Sequence, residues 1–317
     1  MRLEGTTLAF AAATGLAACT LLFAPAAPVA QPPPRPAGPP GSCGTAMPTL
    51  PPPPRTQAAP IVTDLGQGVT EMVGDGGNMV LLNGADGLIL IDAQYATSAA
   101  NNLAKIEQLT GAKPKFLVNT HFHADHTGGN AVFAQAGATI FSSENARKSL
   151  LSQATTPKVA LPVVTFQDGV TFHLNGQTIR VFKAPLPAHS DGDVMIYFVE
   201  ADVLHMGDLY ATSCYPAVGF SQSGFIAALK RALEVAGPNT KIVPGHGDVA
   251  GRKDLEATLA MHEGARAAVE KAVKSGATLQ QAITAKPLAQ WTPMFAPPGS
   301  FVTDDAYVTK IYTELKQ

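Results

Sequence analysis

The segment from Phe116 to Asn130, Phe-Leu-Val-Asn-Thr-His-Phe-His-Ala-Asp-His-Thr-Gly-Gly-Asn, constrains this chain more than any other part of its sequence. Four polar side chains fall within six residues, directly after an apolar run and before a Gly-Gly pair: His121, His123, Asp125 and His126. In an extended chain the first two imidazoles project to the same side and can reach one cation. The other two groups follow where the chain turns into a helix, and they can face a second cation. Crowded polar groups at a strand end are costly without a partner, so the segment predicts a metal site.

Three later residues supply the ligands that a two-metal site still needs, and each adjoins a predicted strand. His189 lies shortly before an apolar strand and offers a third imidazole to the first cation. Asp208 ends another strand, and its two oxygens can bridge two cations. His246, in the tight turn Pro244–Gly247, offers an imidazole to the second cation. Ligands at several strand ends are typical of a site built along one edge of a sheet.

Two further residues are candidates for holding these ligands in place. Asp92 ends the apolar run Leu88–Asp92, where it would either hydrogen-bond a ligand or cap a turn. His205 lies on an apolar strand, and we expect it to pack in the core or to contact a ligand rather than to bind metal. The other isolated histidines, His173 and His262, are expected to be structural.

Apolar runs and turn residues along residues 61–317 predict strand hairpins with helices between them and after them. Two apolar runs flank the turn Asn83–Gly87, which is typical of a hairpin. Residues 98–109 carry apolar side chains at helical spacing, and three more helices are expected at 255–273, 279–283 and 305–315. This mixture predicts an α/β protein with layered sheets and helices.

The beginning of the chain has the composition of an export signal. Residues 8–30 are almost wholly small and apolar, and Ala24-Pro-Ala26 is typical of a cleavage site. Two alternatives are a transmembrane anchor and a lipoprotein signal, in which the box Leu16-Ala-Ala-Cys19 would lead to a lipid on Cys19. We therefore expect a signal peptide over residues 1–30 and a periplasmic or secreted protein, which contacts a membrane only if Cys19 is lipidated.

The signal is followed by a spacer rather than by the fold. Residues 31–60 carry nearly half of the 26 prolines, and such a composition favours an extended, semi-rigid chain. Since this spacer has no regular apolar pattern, we expect a Pro-rich linker over residues 31–60 and a single folded domain over residues 61–317.

Charge and cysteine content narrow the classes of partner and site. The formal net charge of −2 gives no electrostatic reason to expect nucleic acid, so a small-molecule substrate is expected. Three cysteines are too few for a disulfide-dense scaffold or a four-cysteine zinc module. Cys43 and Cys214 would be able to pair in an exported protein, but we expect Cys214 to be a free, buried thiol. The oligomeric state is left open.

In their order along the chain, these motifs resemble those of the metallo-β-lactamase superfamily, and the resemblance covers essentially all of residues 61–317. It implies a four-layered αββα sandwich with two metals at one edge, between the sheets. The implied ligands of the first metal are His121, His123 and His189, those of the second are Asp125, His126 and His246, and Asp208 bridges the two. Asp125 would also be catalytic, because it would orient the nucleophile. Nitrogen and oxygen ligands without thiolate suit two Zn²⁺ ions, with iron or manganese as alternatives.

The resemblance also implies a reaction. Zinc lowers the pKa of a bound water to roughly 7, so hydroxide is available at neutral pH. We therefore expect an exported dinuclear zinc hydrolase, in which metal-bound hydroxide attacks the carbonyl of a cyclic amide or ester of the β-lactam or lactone kind. The best-known zinc β-lactamases have Cys or Ser at the position of Asp208, and one subclass follows it with a lysine. Here no Lys or Arg follows, so the neutral donors Tyr210 and Ser213 are the candidate substrate contacts.

Several other functions stay open at this point. A thioester hydrolase similar to glyoxalase II and a phosphodiester hydrolase would use the same metal site. A mononuclear iron enzyme similar to a persulfide dioxygenase would use His121, His189 and Asp208 alone. A non-catalytic metal-binding protein is the last alternative, and the complete set of seven ligands argues against it.

Overall fold

Alternating apolar residues build two β-sheets in the computed structural model, which describes residues 59–217, 219 and 221–317. The first sheet has seven strands in chain order: β1 (Ile61–Gly66), β2 (Val69–Val73), β3 (Met79–Leu82), β4 (Leu88–Ile91), β5 (Pro114–Val118), β6 (Thr139–Ser143) and β7 (Val164–Phe166). Strands β1 to β4 are antiparallel neighbours, whereas β4 to β7 run parallel. The parallel strands therefore bring their carboxyl ends to one edge of the sheet.

The second sheet has five strands in the order β12-β11-β10-β9-β8. They are β8 (Gly169–Leu174), β9 (Gln177–Lys183), β10 (Val194–Phe198), β11 (Val203–His205) and β12 (Lys241–Val243). Only β11 and β12 of this sheet are parallel, so both end at the same edge. A 3₁₀ turn over Gly207–Leu209 follows β11 there.

Nine helices follow or separate the strands of the described residues. They are α1 (Ala99–Thr110), α2 (Ala124–Thr127), α3 (Asn130–Gln135), α4 (Glu144–Ser152), α5 (Gln222–Val235), α6 (Arg252–Lys274), α7 (Leu279–Thr284), α8 (Thr292–Phe295) and α9 (Asp304–Lys316). Among the described residues, none of these helices is long and apolar enough to span a bilayer.

Successive side chains of a strand point to opposite faces of its sheet, so the apolar side chains fall into separate layers. In β3, Val80 and Leu82 lie in the core between the two sheets, whereas Met79 and Leu81 face outward to α1 and α3. On the other side, α5 packs against the outer face of the second sheet through Phe225. The four-layered αββα sandwich is therefore confirmed. A further apolar cluster joins α6 to the last three helices.

The predicted signal peptide and the linker up to residue 58 lie outside the described residues. The predicted cleavage site and the lipidation of Cys19 therefore stay predictions, as does the domain boundary near residue 60. Strand β1 was not predicted, because most of its residues are exposed and give no apolar alternation.

Strand β2 buries one carboxyl group, that of Glu71, which is only 3% exposed. Burial raises the pKa of Glu71 to about 7, and the nearby charge of Asp248 adds to this effect. Its Oε1 atom has no hydrogen-bond partner within the part of the chain that the structure describes. An ionised carboxylate here is costly, so Glu71 favours folding in its protonated form.

We expect Glu71→Gln to stabilise the protein at pH 8 and to change little at pH 5. A raised pKa in the folded state means that the contribution of Glu71 is fully present below pH 4.5 and is lost as the pH rises through about 7. The neutral amide avoids this loss, so the free energy of unfolding at pH 8 should rise by about 1–3 kcal/mol. Urea unfolding at both pH values measures this change in free energy, with Glu107→Gln, whose side chain is 41% exposed, as control. An equal change at the two pH values would contradict the interpretation.

Candidate metal centre

The metal-ligand candidates converge where strands of both sheets end. His121, His123, Asp125 and His126 follow β5, while Asp208 and His246 follow the parallel strands β11 and β12. His189 precedes β10, which is antiparallel to β11, so it lies at the same edge. The structure brings the seven residues together in two groups that share Asp208, and within each group the candidate ligand atoms lie within 4.8 Å of one another.

The first group places three imidazoles around one point. His123 Nδ1 lies 2.7 Å from His189 Nε2 and 3.1 Å from His121 Nε2. Asp208 Oδ2 lies 3.1 Å from His189 Nε2 and completes the group. These separations resemble those between the ligand atoms of one tetrahedral zinc, each of which binds the ion at about 2.0–2.2 Å. The first group therefore fits a tetrahedral cation.

The second group is built around the other oxygen of the same aspartate. Asp208 Oδ1 lies 3.0 Å from His126 Nε2 and 3.4 Å from His246 Nε2. Asp125 Oδ2 lies 3.1 Å from His246 Nε2 and 3.6 Å from His126 Nε2. Asp208 thus presents one oxygen to each group, which is the arrangement of a carboxylate that bridges two cations.

The buried polar atoms of the site fit a cation better than they fit each other. His126 Nε2 and Asp208 Oδ1 are fully buried and lie 3.0 Å apart, but no well-directed hydrogen bond joins them to each other or to another described residue. A cation between these two atoms would satisfy both of them. Glycines also surround the groups closely: a Cβ atom at Gly77 would lie 2.0 Å from the His126 ring, and one at Gly245 would lie 2.0 Å from Asp208 Oδ1.

The electrostatics of the cluster follow from burial and from Asp208. Burial, together with the neighbouring His189, lowers the pKa of His123 to about 4. Burial also acts to lower the pKa of His246, but the Asp208 carboxylate and the hydrogen bond to Asp125 outweigh it and raise that pKa to about 9. Without metal the cluster therefore holds protons beside Asp208, and a bound cation has to displace them.

Asp92 contacts a ligand, which is one of the two roles that the sequence suggested for it. Its Oδ2 atom lies 2.7 Å from His126 Nδ1, and its carboxylate accepts hydrogen bonds from the backbone N (2.8 Å) and Oγ1 (2.7 Å) of Thr120. Thr120 Oγ1 also lies 3.0 Å from His121 Nδ1. These contacts turn the Nε2 atoms of both histidines toward the site, as outer hydrogen bonds do at metal centres.

His205 belongs to neither ligand group, but its hydrogen bonds connect the turn that carries Asp208 with Asn78. The backbone N of Gly207 donates to His205 Nδ1 at 2.9 Å, so the ring proton is on Nε2, which donates to Asn78 O at 3.0 Å. The residue is fully buried, and burial lowers its pKa. His205 is therefore a neutral link between the turn that carries Asp208 and the residue that opens β3.

Asn78, which was not predicted as a site residue, holds the turn that carries His246. The Asn78 side chain donates to Gly247 O at 2.8 Å and to Pro244 O at 3.1 Å, while its backbone N donates to Gly245 O at 2.7 Å. A polar amide that directly precedes a fully buried strand was the available signal, but its partners lie more than 160 residues away in sequence.

We expect Asn78→Asp to weaken the second group while the first stays intact. The change is nearly isosteric, but it removes both side-chain donors to the turn around His246. Losing such an outer contact typically costs about 10- to 100-fold in metal affinity. Zinc titration of the metal-free protein measures it, with Asn175→Asp as control, because the Asn175 side chain donates to Gly87 O at the turn end of the sheets. Equal affinities in the two variants would contradict this role for Asn78.

The two candidate substrate contacts differ in their placement. Tyr210 is 3% exposed and packs in the core beside α5, so its ring is not presented to a substrate, and we withdraw it as a contact. Tyr210 directly follows the 3₁₀ turn Gly207–Leu209 and belongs to the apolar cluster between the second sheet and α5. Ser213 is exposed, in a left-handed conformation with φ of 60°. Ser213 therefore remains the candidate substrate contact.

The expectation of a free thiol at Cys214 is wrong. Cys214 is disulfide-bonded and 7% exposed, in the loop between Asp208 and α5. The other two cysteines, Cys19 and Cys43, lie outside the described residues.

Comparison with known proteins agrees with this geometry. The family model described as the metallo-beta-lactamase superfamily matches residues 72–247. The chain is similar to the metallo-beta-lactamase type 2 of Elizabethkingia meningoseptica, with 24% identity over 57% of this chain and 73% of that protein. It is 30% identical to a hydroxyacylglutathione hydrolase of Synechococcus sp. (strain JA-3-3Ab) over 39% of this chain, but this match spans only 45% of the relative.

Solved structures share the fold at low sequence identity. A metallo-beta-lactamase from Pontibacter korlensis superposes with a TM-score of 0.58 and 22% identity, over 64% of this chain and 99% of that one. A double mutant of the sec-alkyl sulfatase PisA1 superposes with a TM-score of 0.66 and 16% identity, over 80% of this chain and 50% of that one. Because the family model matches more than half of the chain and the fold agrees, this protein belongs to the metallo-β-lactamase superfamily.

Proposed function

We propose that this protein, a metal-dependent hydrolase of its superfamily, is an exported dinuclear zinc enzyme that opens a cyclic amide or ester. The observation that carries the proposal is the placement of Asp208, whose two oxygens face two separate ligand groups. Six of the seven ligand candidates would bind through nitrogen or oxygen to one cation each, and none is a thiolate. This donor set suits Zn²⁺.

The side chains that solvent reaches define the side from which a substrate approaches. The His246 and Asp125 side chains are 30% and 19% exposed, whereas the His126 side chain is fully buried. This exposure supports Asp125 as the carboxylate that would accept a hydrogen bond from an attacking water and orient it. Two bound zinc ions would lower the pKa of that water and polarise the substrate carbonyl.

A half-buried aromatic ring adjoins this open side. The rings of Phe122 and His123 lie 4.5 Å apart, so an apolar surface borders the first group. On the other flank, the run Leu209–Pro216 after Asp208 contains no basic residue. A substrate carboxylate would therefore have to be recognised by neutral donors such as Ser213. This supports a compact cyclic substrate such as a lactone or a β-lactam, with KM values for penicillins and carbapenems toward about 1 mM.

Two observations bear on the finer points of this proposal. The disulfide at Cys214 supports an oxidising, exported location, since such bonds are rare in the cytosol. The hydroxyacylglutathione hydrolases among the relatives favour a thioester as the second candidate substrate.

A substrate panel with zinc-loaded, full-length protein tests the reaction class. We expect turnover of lactones or β-lactams above that of a thioester and a phosphodiester. Turnover of a thioester alone would replace the proposed substrate by the second candidate. Cleavage of a phosphodiester with no carbonyl substrate turned over would overturn the reaction class, and the absence of all turnover would favour a metal-binding protein.

A further inference from the structure

The last helix contacts the segment that leads into α5, and it does so through two charged residues. Lys310 and Glu314 are one turn apart on α9, so their side chains leave the same face of the helix. Lys310 Nζ donates to Gly219 O at 2.5 Å. The Glu314 carboxylate accepts from the backbone N of Gln222 at 2.6 Å and from that of Ser223 at 3.1 Å. Helix α9 lies beyond residues 72–247, which the family model matches.

The contact at Glu314 has a clear electrostatic cause. The first amides of a helix lack internal partners, and the helix dipole makes this end positive, so a carboxylate here is stabilising. Arg266 on α6 holds the same carboxylate at 3.0 Å and also donates to Gln222 Oε1 at 3.1 Å. The start of α5 is therefore fixed from both α6 and α9.

The segment that leads into α5 also packs tightly against the loop that carries His189. Ser221 donates through its backbone N to Ala188 O at 3.2 Å and through Oγ to Pro187 O at 2.8 Å. A Cβ atom at Gly224 would lie 1.9 Å from Pro187 O, and one at Gly219 would lie 2.4 Å from the Cα of His189. Because the two segments are in direct contact, a shift of one displaces the other.

We propose that Glu314 and Lys310 are positioning residues for His189, so that the last helix sets the affinity of the first ligand group for its cation. The proposal rests on the dinuclear centre proposed above. Neither residue belongs to a ligand group, and both act through the segment that packs against Pro187 and Ala188.

The test compares cation affinity in variants of the full-length protein. We expect Glu314→Gln and Lys310→Met to weaken zinc binding by the first group about tenfold. Lys310→Arg keeps a donor to Gly219 O and should restore the affinity. The matched control is Glu263→Gln. It removes a carboxylate of α6 that pairs with Lys230 of α5 at 2.7 Å. Zinc competition with a chelator gives the affinities, and cadmium NMR, assigned with His189→Ala and His246→Ala, tells the two groups apart.

A second readout does not depend on metal. In metal-free protein, the ring resonances of His189 should shift in Glu314→Gln and stay unchanged in Glu263→Gln. If the wild-type protein binds no zinc, the proposed function fails, while this readout still decides the role of α9. Unchanged His189 resonances in Glu314→Gln, or equal affinities of Glu314→Gln and Glu263→Gln for the first zinc, would overturn the inference.

Discussion

Turnover by the Asp125→Ala and His123→Ala variants should fall by about 10³-fold or more while the fold survives. Asp125 lies in the second ligand group and His123 in the first, so each change disables one half of the centre. Neither side chain is part of an apolar core cluster, and both are partly open to solvent. The loss should therefore appear in kcat and in zinc content, with little change in the circular dichroism spectrum or in the melting temperature of the metal-free protein.

The chain offers matched controls for both changes. Asp168, in the turn after β7, and His173, on β8, are exposed, and neither belongs to a ligand group. Asp168→Ala and His173→Ala should keep wild-type turnover. If the site variants retained turnover close to that of these controls, the two ligand groups would not be the catalytic centre.

Replacing Gly245 by alanine, which adds a single methyl group, should lower the affinity for both cations. A Cβ atom there would lie 2.0 Å from Asp208 Oδ1 and 2.8 Å from the backbone N of Asp208. The backbone of Gly245 is not in the left-handed region, so the conflict is steric and is directed at the one residue that both groups share. Gly245→Ala should therefore lower the affinity for both ions by at least about 100-fold and destabilise the protein by about 1–3 kcal/mol.

Gly237→Ala is the control for this substitution. Gly237 follows α5, and a Cβ atom there would meet only Thr240 Oγ1, at 3.7 Å, which is an ordinary contact. Calorimetric zinc titration and thermal unfolding of the two variants compare them directly. If Gly245→Ala bound two ions with wild-type affinity, the turn would be able to move away from Asp208. The close approach of Gly245 to Asp208 would then not be needed for metal binding.

The sequence was sufficient for the layers and for the ligand candidates because both depend on local patterns. Val80 and Leu82 alternate with Met79 and Leu81, which is enough to predict a strand with apolar contacts on both faces. The ligand candidates stand out because histidine and aspartate fall together at predicted strand ends. The parallel pairing of strands then brings these ends to one edge.

The remaining features depend on contacts between distant parts of the chain. Asn78 and Glu314 look like ordinary polar residues until the fold brings them to the turn around His246 and to the start of α5. Tyr210 is buried by packing beside α5, and Cys214, although buried as expected, is disulfide-bonded instead of free. Nothing local in the sequence indicates these partners.

Elemental analysis of the purified full-length protein tests the central claim most directly. We expect two zinc ions per chain in the wild-type protein, because the two ligand groups each fit one cation and share Asp208. Asn78→Asp, which affects only the second group, should fall toward one ion per chain at limiting zinc. A wild-type protein that contains no transition metal, or a single iron together with oxygen-dependent turnover, would contradict the account.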